Sequence, residues 1–97
     1  MSVKLLTMVF DRYPGGPGER LLALAMAHYA RDDGSQIRSS VAALCRKTGQ
    51  SRSTVQRQLA RMLAAGWLVR VESGAGRGGF TAYHISSAWI AGGRAGA

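Results

Sequence analysis

The chain has 97 residues, 46% of them hydrophobic, with thirteen basic against five acidic side chains and a formal net charge of +8. That length predicts one small domain burying about 65% of its unfolded surface, too little for a large multi-part active site. No run nears the roughly 18 apolar residues of a membrane span, the start Met1-Ser2-Val3-Lys4 lacks a signal core, and a lone Cys45 excludes an internal disulfide framework, so a soluble cytoplasmic protein in a reducing compartment is expected.

Residues 3–10 mix β-branched and long apolar types and suit a strand better than a helix, and such a strand could pair between two chains as an edge strand. Tyr13-Pro14-Gly15-Gly16-Pro17-Gly18 breaks the chain. A first helix is predicted over 17–31, with Pro17 in its first turn and Glu19 complementing its dipole. Leu21, Leu22, Ala25 and Tyr29 share one face, widened by Leu24 and Met26, and Asp32-Asp33-Gly34 ends the helix. Ile37 reads as a single strand contact. Ser39 or Ser40 then caps a second helix over 39–48, whose Val41, Leu44, Cys45 and Thr48 stand at i, i+3, i+4 and i+7, with Gly49 as a left-handed stop. Ser51 caps a third helix over 51–65 with an apolar seam of Val55, Leu59, Met62 and Leu63. Gly66 closes it and Trp67 packs back on its last turn.

Only Gly49-Gln50-Ser51 separates the second and third helices, which forces their axes to a steep angle, a helix-turn-helix. Beyond them the period changes to 2. Residues 68–72 and 80–85 read as strands around a glycine-rich segment, a hairpin over 68–85. Residues 86–91 suit a short helical turn and 92–97 a flexible tail. The expected architecture is a mainly α domain over 1–91, a three-helix core with a C-terminal β-hairpin wing.

Charge placement says more than its sum. Eleven of the thirteen basic residues are Arg and fifteen residues are Ala, a bias of GC-rich coding that raises the isoelectric point without function. Yet residues 34–71 carry Arg38, Arg46, Lys47, Arg52, Arg57, Arg61 and Arg70 and no acidic side chain. That stretch contains the whole helix-turn-helix.

Residues 41–71 resemble the winged helix-turn-helix family, above all in Leu44-Cys45-Arg46-Lys47-Thr48-Gly49 followed by Ser51-Arg52-Ser53-Thr54-Val55. The wider pattern over residues 3–85 is similar to the N-terminal DNA-binding domains of phage and plasmid replication proteins, and its motifs are shared with small bacterial transcriptional regulators. Gln50 departs from the family, which more often has an apolar residue there. The resemblance implies a double-stranded DNA binder with some sequence preference, acting in replication initiation of a phage or plasmid-like element and associated with the nucleoid. An autoregulatory transcriptional repressor is the alternative, and a winged helix that meets an acidic protein without reading bases is a third reading. Replication or transcription proteins and a second copy of the chain are the further partners implied.

In such a module the third helix enters the major groove, whose width of about 12 Å admits it. Burying the Val55 seam presents the opposite face, with Gln56 and Arg57 as leading base readers and Arg52 and Ser53 beside them. Gln pairs with adenine N6 and N7, and Arg with guanine O6 and N7. Ser39, Ser40, Ser51 and Thr54 suit phosphate oxygens or plain helix capping, and both roles can be shared among them. Arg46, Lys47 and Arg61 add charge toward the backbone, and Arg77 at the wing tip suits flanking backbone or the minor groove.

Other motifs fail on context. Gly74-Ala75-Gly76-Arg77-Gly78-Gly79 fits a dinucleotide fingerprint, but a β-rich segment follows where a helix should open. Cys45 falls on an apolar seam, and His28 and His84 have no carboxylates at ligand spacing. No catalytic residue, metal site or cofactor is expected.

Overall fold

A computed structural model of the chain describes residues 2–71 and 81–92. It begins with a helix, not a strand: α1 spans Val3–Arg12, and the Ser2 side chain accepts the Leu5 N–H at 3.1 Å as its N-cap. The strand expectation failed because its apolar residues do not alternate. Leu5 and Val9 stand one turn apart, both fully buried, and Tyr13 continues that line into the core. Ser2 also donates to Asp32 at 2.8 Å, tying the start of α1 to the turn after the next helix. Arg12 closes the far end by donating to the Trp89 carbonyl at 2.9 Å, with its guanidinium 4.8 Å from the Trp89 ring centroid.

The second helix, α2, covers Pro17–Tyr29 with Pro17 and Glu19 in its first turn. It buries Leu22, Ala23, Ala25, Met26 and Ala27, whereas Leu21 is 41% exposed. The buried stripe thus takes in Ala23 and Ala27 and leaves Leu21 out, and α1 packs on α2 as a second covering element beside the expected core. After a turn with Gly34 at φ 86, β1 forms at Ile37–Ser39. This is a full strand where a single contact is expected from sequence, and Ser39 belongs to it rather than to the next helix.

Helix α3 spans Val41–Thr48, capped by Ser40 accepting from the Ala43 N–H at 3.1 Å. Gly49 follows at φ 70, ψ 19, the left-handed stop. Helix α4 spans Arg52–Ala64 with Ser51 as N-cap, and it buries Val55, Gln58, Leu59 and Met62. Leu63, expected in that seam, is only half-buried, and the amide Gln58 takes a core position instead.

Strand β2 (Leu68–Val71) pairs antiparallel with β3 (Thr81–Ile85), Leu68 opposite Ile85, and β3 also pairs with β1, Ile37 opposite Tyr83. The sheet order is β1-β3-β2. A last short helix, α5, spans Ser87–Ile90 and seats Trp89 in the core, 2% exposed. Tyr13, Trp67 and Trp89 then stack edge to face, with ring centroids 5.0 and 5.4 Å apart. The core therefore gains α1, a helix where a strand is expected from sequence, while α5 falls within residues 86–91, where a short helical turn is expected. Helix-turn-helix α3–α4 followed by the β2–β3 hairpin makes this a winged helix-turn-helix.

Candidate nucleic-acid interface

Helix α4 faces the core with Val55, Gln58, Leu59 and Met62, so the 3.6-residue period turns Arg52, Ser53, Gln56, Arg57 and Ala60 outward, all exposed. The four residues expected to read bases thus share one accessible face starting at the helix N-terminus. What holds that face in place is a polar clamp. Gln58, 5% exposed, donates to Gln50 Oε1 at 3.0 Å, and Gln50 Nε2 donates back to Gln58 Oε1 at 3.0 Å and to the Gly18 carbonyl at 3.3 Å. Gly18 permits this approach: a Cβ there would lie 2.8 Å from Gln50 Oε1 and 3.0 Å from Gln58 Nε2. The turn residue that departs from the apolar pattern is thereby explained, since Gln50 bonds α4 to the first turn of α2.

The residues expected on the DNA backbone divide into several environments. Arg46 and Lys47 are exposed in the last turn of α3, and the Lys47 ammonium lies 5.3 Å from the Tyr29 ring centroid, which steadies its long stem. Ser40 and Ser51 are caps. Ser51 accepts the Thr54 N–H at 3.3 Å and donates to the Thr54 hydroxyl at 2.8 Å, so these two hydroxyls occupy each other. Ser39 is a correction: it is 3% exposed and donates to the Ser40 carbonyl at 3.3 Å, so the sheet takes it away from any phosphate. Arg77 lies outside the described residues, as does the fingerprint-like glycine segment.

Arg61 is exposed yet engaged. Its Nε donates to Glu19 Oε1 at 3.0 Å, and the other carboxylate oxygen accepts the Tyr13 hydroxyl at 2.6 Å. Burial, then donation to the Glu19 carboxylate, push the Tyr13 phenol far above its ordinary value of 10.0. Glu19 thus partly neutralises one cation of the basic face while joining α4 to α2. Sequence reasoning missed this chain and the Gln50–Gln58 clamp. A glutamine at a position spaced for the buried seam, three residues after Val55, was the available signal for the clamp.

Two further basic residues, Arg38 on β1 and Arg70 on β2, are also exposed. With Arg46, Lys47, Arg52 and Arg57 they belong to the acid-free stretch, a surface suited to polyanions. Cys45 is half-buried on α3. Among the described residues no three His, Cys, Asp or Glu side chains gather as a metal site, and no helix is long and apolar enough to cross a membrane. One family model, that of the MarR family, matches residues 21–77. No curated protein and no solved structure matches the chain significantly.

Proposed function

The chain belongs to the MarR family, a family of DNA-binding transcriptional regulators, and from that premise we propose that it is a transcriptional repressor that reads double-stranded DNA with α4. The observation that carries this reading is the single exposed face of α4, where Arg52, Ser53, Gln56 and Arg57 project from a stretch with no acidic side chain. Gln56 and Arg57 offer bidentate donors to adenine and guanine edges, each contact contributing about 1 to 3 kcal/mol of discrimination. Arg52 and Ser53, nearest the helix N-terminus, reach the same groove. Arg46, Lys47 and Ser40 meet phosphates and set register without reading sequence.

The expectation of replication initiation is set aside, because the family match points to transcription and lends replication no support. Autoregulation fits better: a small repressor acts on an inverted repeat as a pair of copies, each α4 in one half-site. Such a protein works on the chromosome and catalyses nothing.

Selection of bound duplexes from a random-sequence pool, at about 50 and 200 mM salt, tests the proposal. Enrichment of an inverted repeat supports a repressor. Salt-sensitive binding without enrichment, or no binding, refutes base reading by α4 and favours an acidic protein partner.

A further inference from the structure

Two residues off the exposed face of α4 govern how that face meets a duplex. We infer that Gln50 and Gln58 are specificity-determining positioning residues: they set the roll of α4 about its own axis, and so the seating of Gln56 and Arg57 on base edges. This rests on the repressor reading above and adds to it what holds base discrimination in place.

Base readout is sensitive to roll. An α-helix with its side chains is about 10 to 12 Å across, so a roll of about 15° carries a side-chain tip through about 1.4 Å. Hydrogen bonds tolerate a spread of only about 0.5 Å, and a bidentate pair must satisfy two at once. A phosphate contact survives the same roll, because charge attraction depends on distance alone and a long basic stem follows the oxygen.

The apolar seam of α4 leaves the roll loosely set. Val55, Leu59 and Met62 stay buried through a small rotation, since the hydrophobic term has no direction, and apolar cores lose uniqueness before they lose stability. Directional links run instead to the first turn of α2. Gln58 and Gln50 close a ring of two 3.0 Å bonds, and Gln50 is pinned to the Gly18 carbonyl at 3.3 Å. One turn further along α4, Arg61 reaches Glu19, the residue after Gly18, at 3.0 Å. Two attachments one turn apart on the same side of a helix oppose its rotation. They are unequal. The Arg61 side chain is 61% exposed, and exposed ion pairs hold geometry loosely, whereas Gln58 is 5% exposed and its amide bonds in a low dielectric. The amide ring is therefore the link that decides the roll. A pair of leucines in its place would hold α4 about as firmly but leave its orientation undefined.

The test uses the full chain with Gln58→Leu, and with Gln50→Leu and Gln58→Leu together, so that no buried amide is stranded. Anisotropy titrations across salt give affinities for a duplex selected by the wild-type chain, for its single-base variants and for an unrelated duplex. The ratio of selected to unrelated affinity decides, because partial unfolding scales both affinities by the same folded fraction and cancels. Both variants should lower that ratio about tenfold, with the loss at the base pairs read by Gln56 and Arg57 and the salt slope unchanged. Gln58→Leu leaves Gln50 free to reach water, so the test stands even where the double variant does not fold. A ratio within about twofold of wild type, or a fall in both affinities that leaves the ratio intact, would overturn the inference. A wild-type chain that selects no sequence would overturn it together with the repressor reading; a selective wild type with equally selective variants overturns the inference alone.

Discussion

Replacing Gln50 by Ala should destabilise the domain more than replacing the more deeply buried Gln58 by Leu. Gln58 is 5% exposed and both side-chain bonds it makes go to Gln50, at 3.0 Å each. Gln50→Ala therefore strands a buried amide with neither donor nor acceptor paired, a cost of about 1 to 3 kcal/mol on top of two lost bonds of about 1 kcal/mol each. Part of that sum is recovered where the freed Gln58 swings toward solvent, so about 2 to 3 kcal/mol is expected. Gln58→Leu removes the buried polar group itself and fills a similar volume. It leaves Gln50, which is half-buried, free to reach water and keep its bond to Gly18, at a cost of about 1 kcal/mol. Urea unfolding followed by far-ultraviolet circular dichroism measures both, with midpoint changes at constant m reporting stability alone. Gln50→Ala costing under about 0.5 kcal/mol, or less than Gln58→Leu, would refute the clamp.

Two glycines with positive φ separate strain from crowding. At Gly49 a Cβ meets nothing within 4 Å, so Gly49→Ala costs only the left-handed penalty of about 1 kcal/mol, a fall in Tm of roughly 4 to 8 °C. At Gly34 a Cβ would lie 2.7 Å from Ile90 Cδ1 and 3.0 Å from the Ile85 carbonyl, so Gly34→Ala should melt lower still; equal shifts would contradict these turn geometries. The raised Tyr13 phenol makes stability pH-dependent at the alkaline end. Its contribution is complete below the unfolded value of 10.0 and falls as pH rises past it, by about 1.4 kcal/mol per pH unit, because only the unfolded chain ionises. Unfolding curves between pH 9 and 11 should therefore fall more gently for Tyr13→Phe than for wild type, and parallel curves would count against this. Glu19→Gln keeps an acceptor for Tyr13 but frees Arg61, so binding to any duplex should tighten and the salt slope steepen by about one unit in anisotropy titrations.

The helix-turn-helix was legible in the sequence because its signals are local. Ser40, Gly49 and Ser51 each impose a cap on their own neighbours, and Val55, Leu59 and Met62 repeat at helical spacing. The exposed face of α4 followed from that seam by periodicity alone. Helix α1 was misread because its composition suits a strand, while the Ser2 cap and the Leu5–Val9–Tyr13 spacing carry the stronger information. What stayed hidden depends on contacts distant in the chain. Arg61 meets Glu19 across 42 residues, Gln50 reaches Gly18 across 32, and no local pattern announces either pairing. Ser39 was assigned to phosphate because a serine beside a helix start resembles a cap, whereas its pairing with β3 withdraws it into the sheet.

The central claim is that one face of α4 reads bases while neighbouring cations only hold the backbone. Comparing Arg57→Ala with Lys47→Ala on a selected duplex and its single-base variants, across salt, tests it most directly. Arg57→Ala should weaken binding about 5- to 150-fold and abolish discrimination at one base pair, whereas Lys47→Ala should weaken every duplex alike and reduce the salt slope by about one. Uniform losses across all duplexes for both variants would contradict the account.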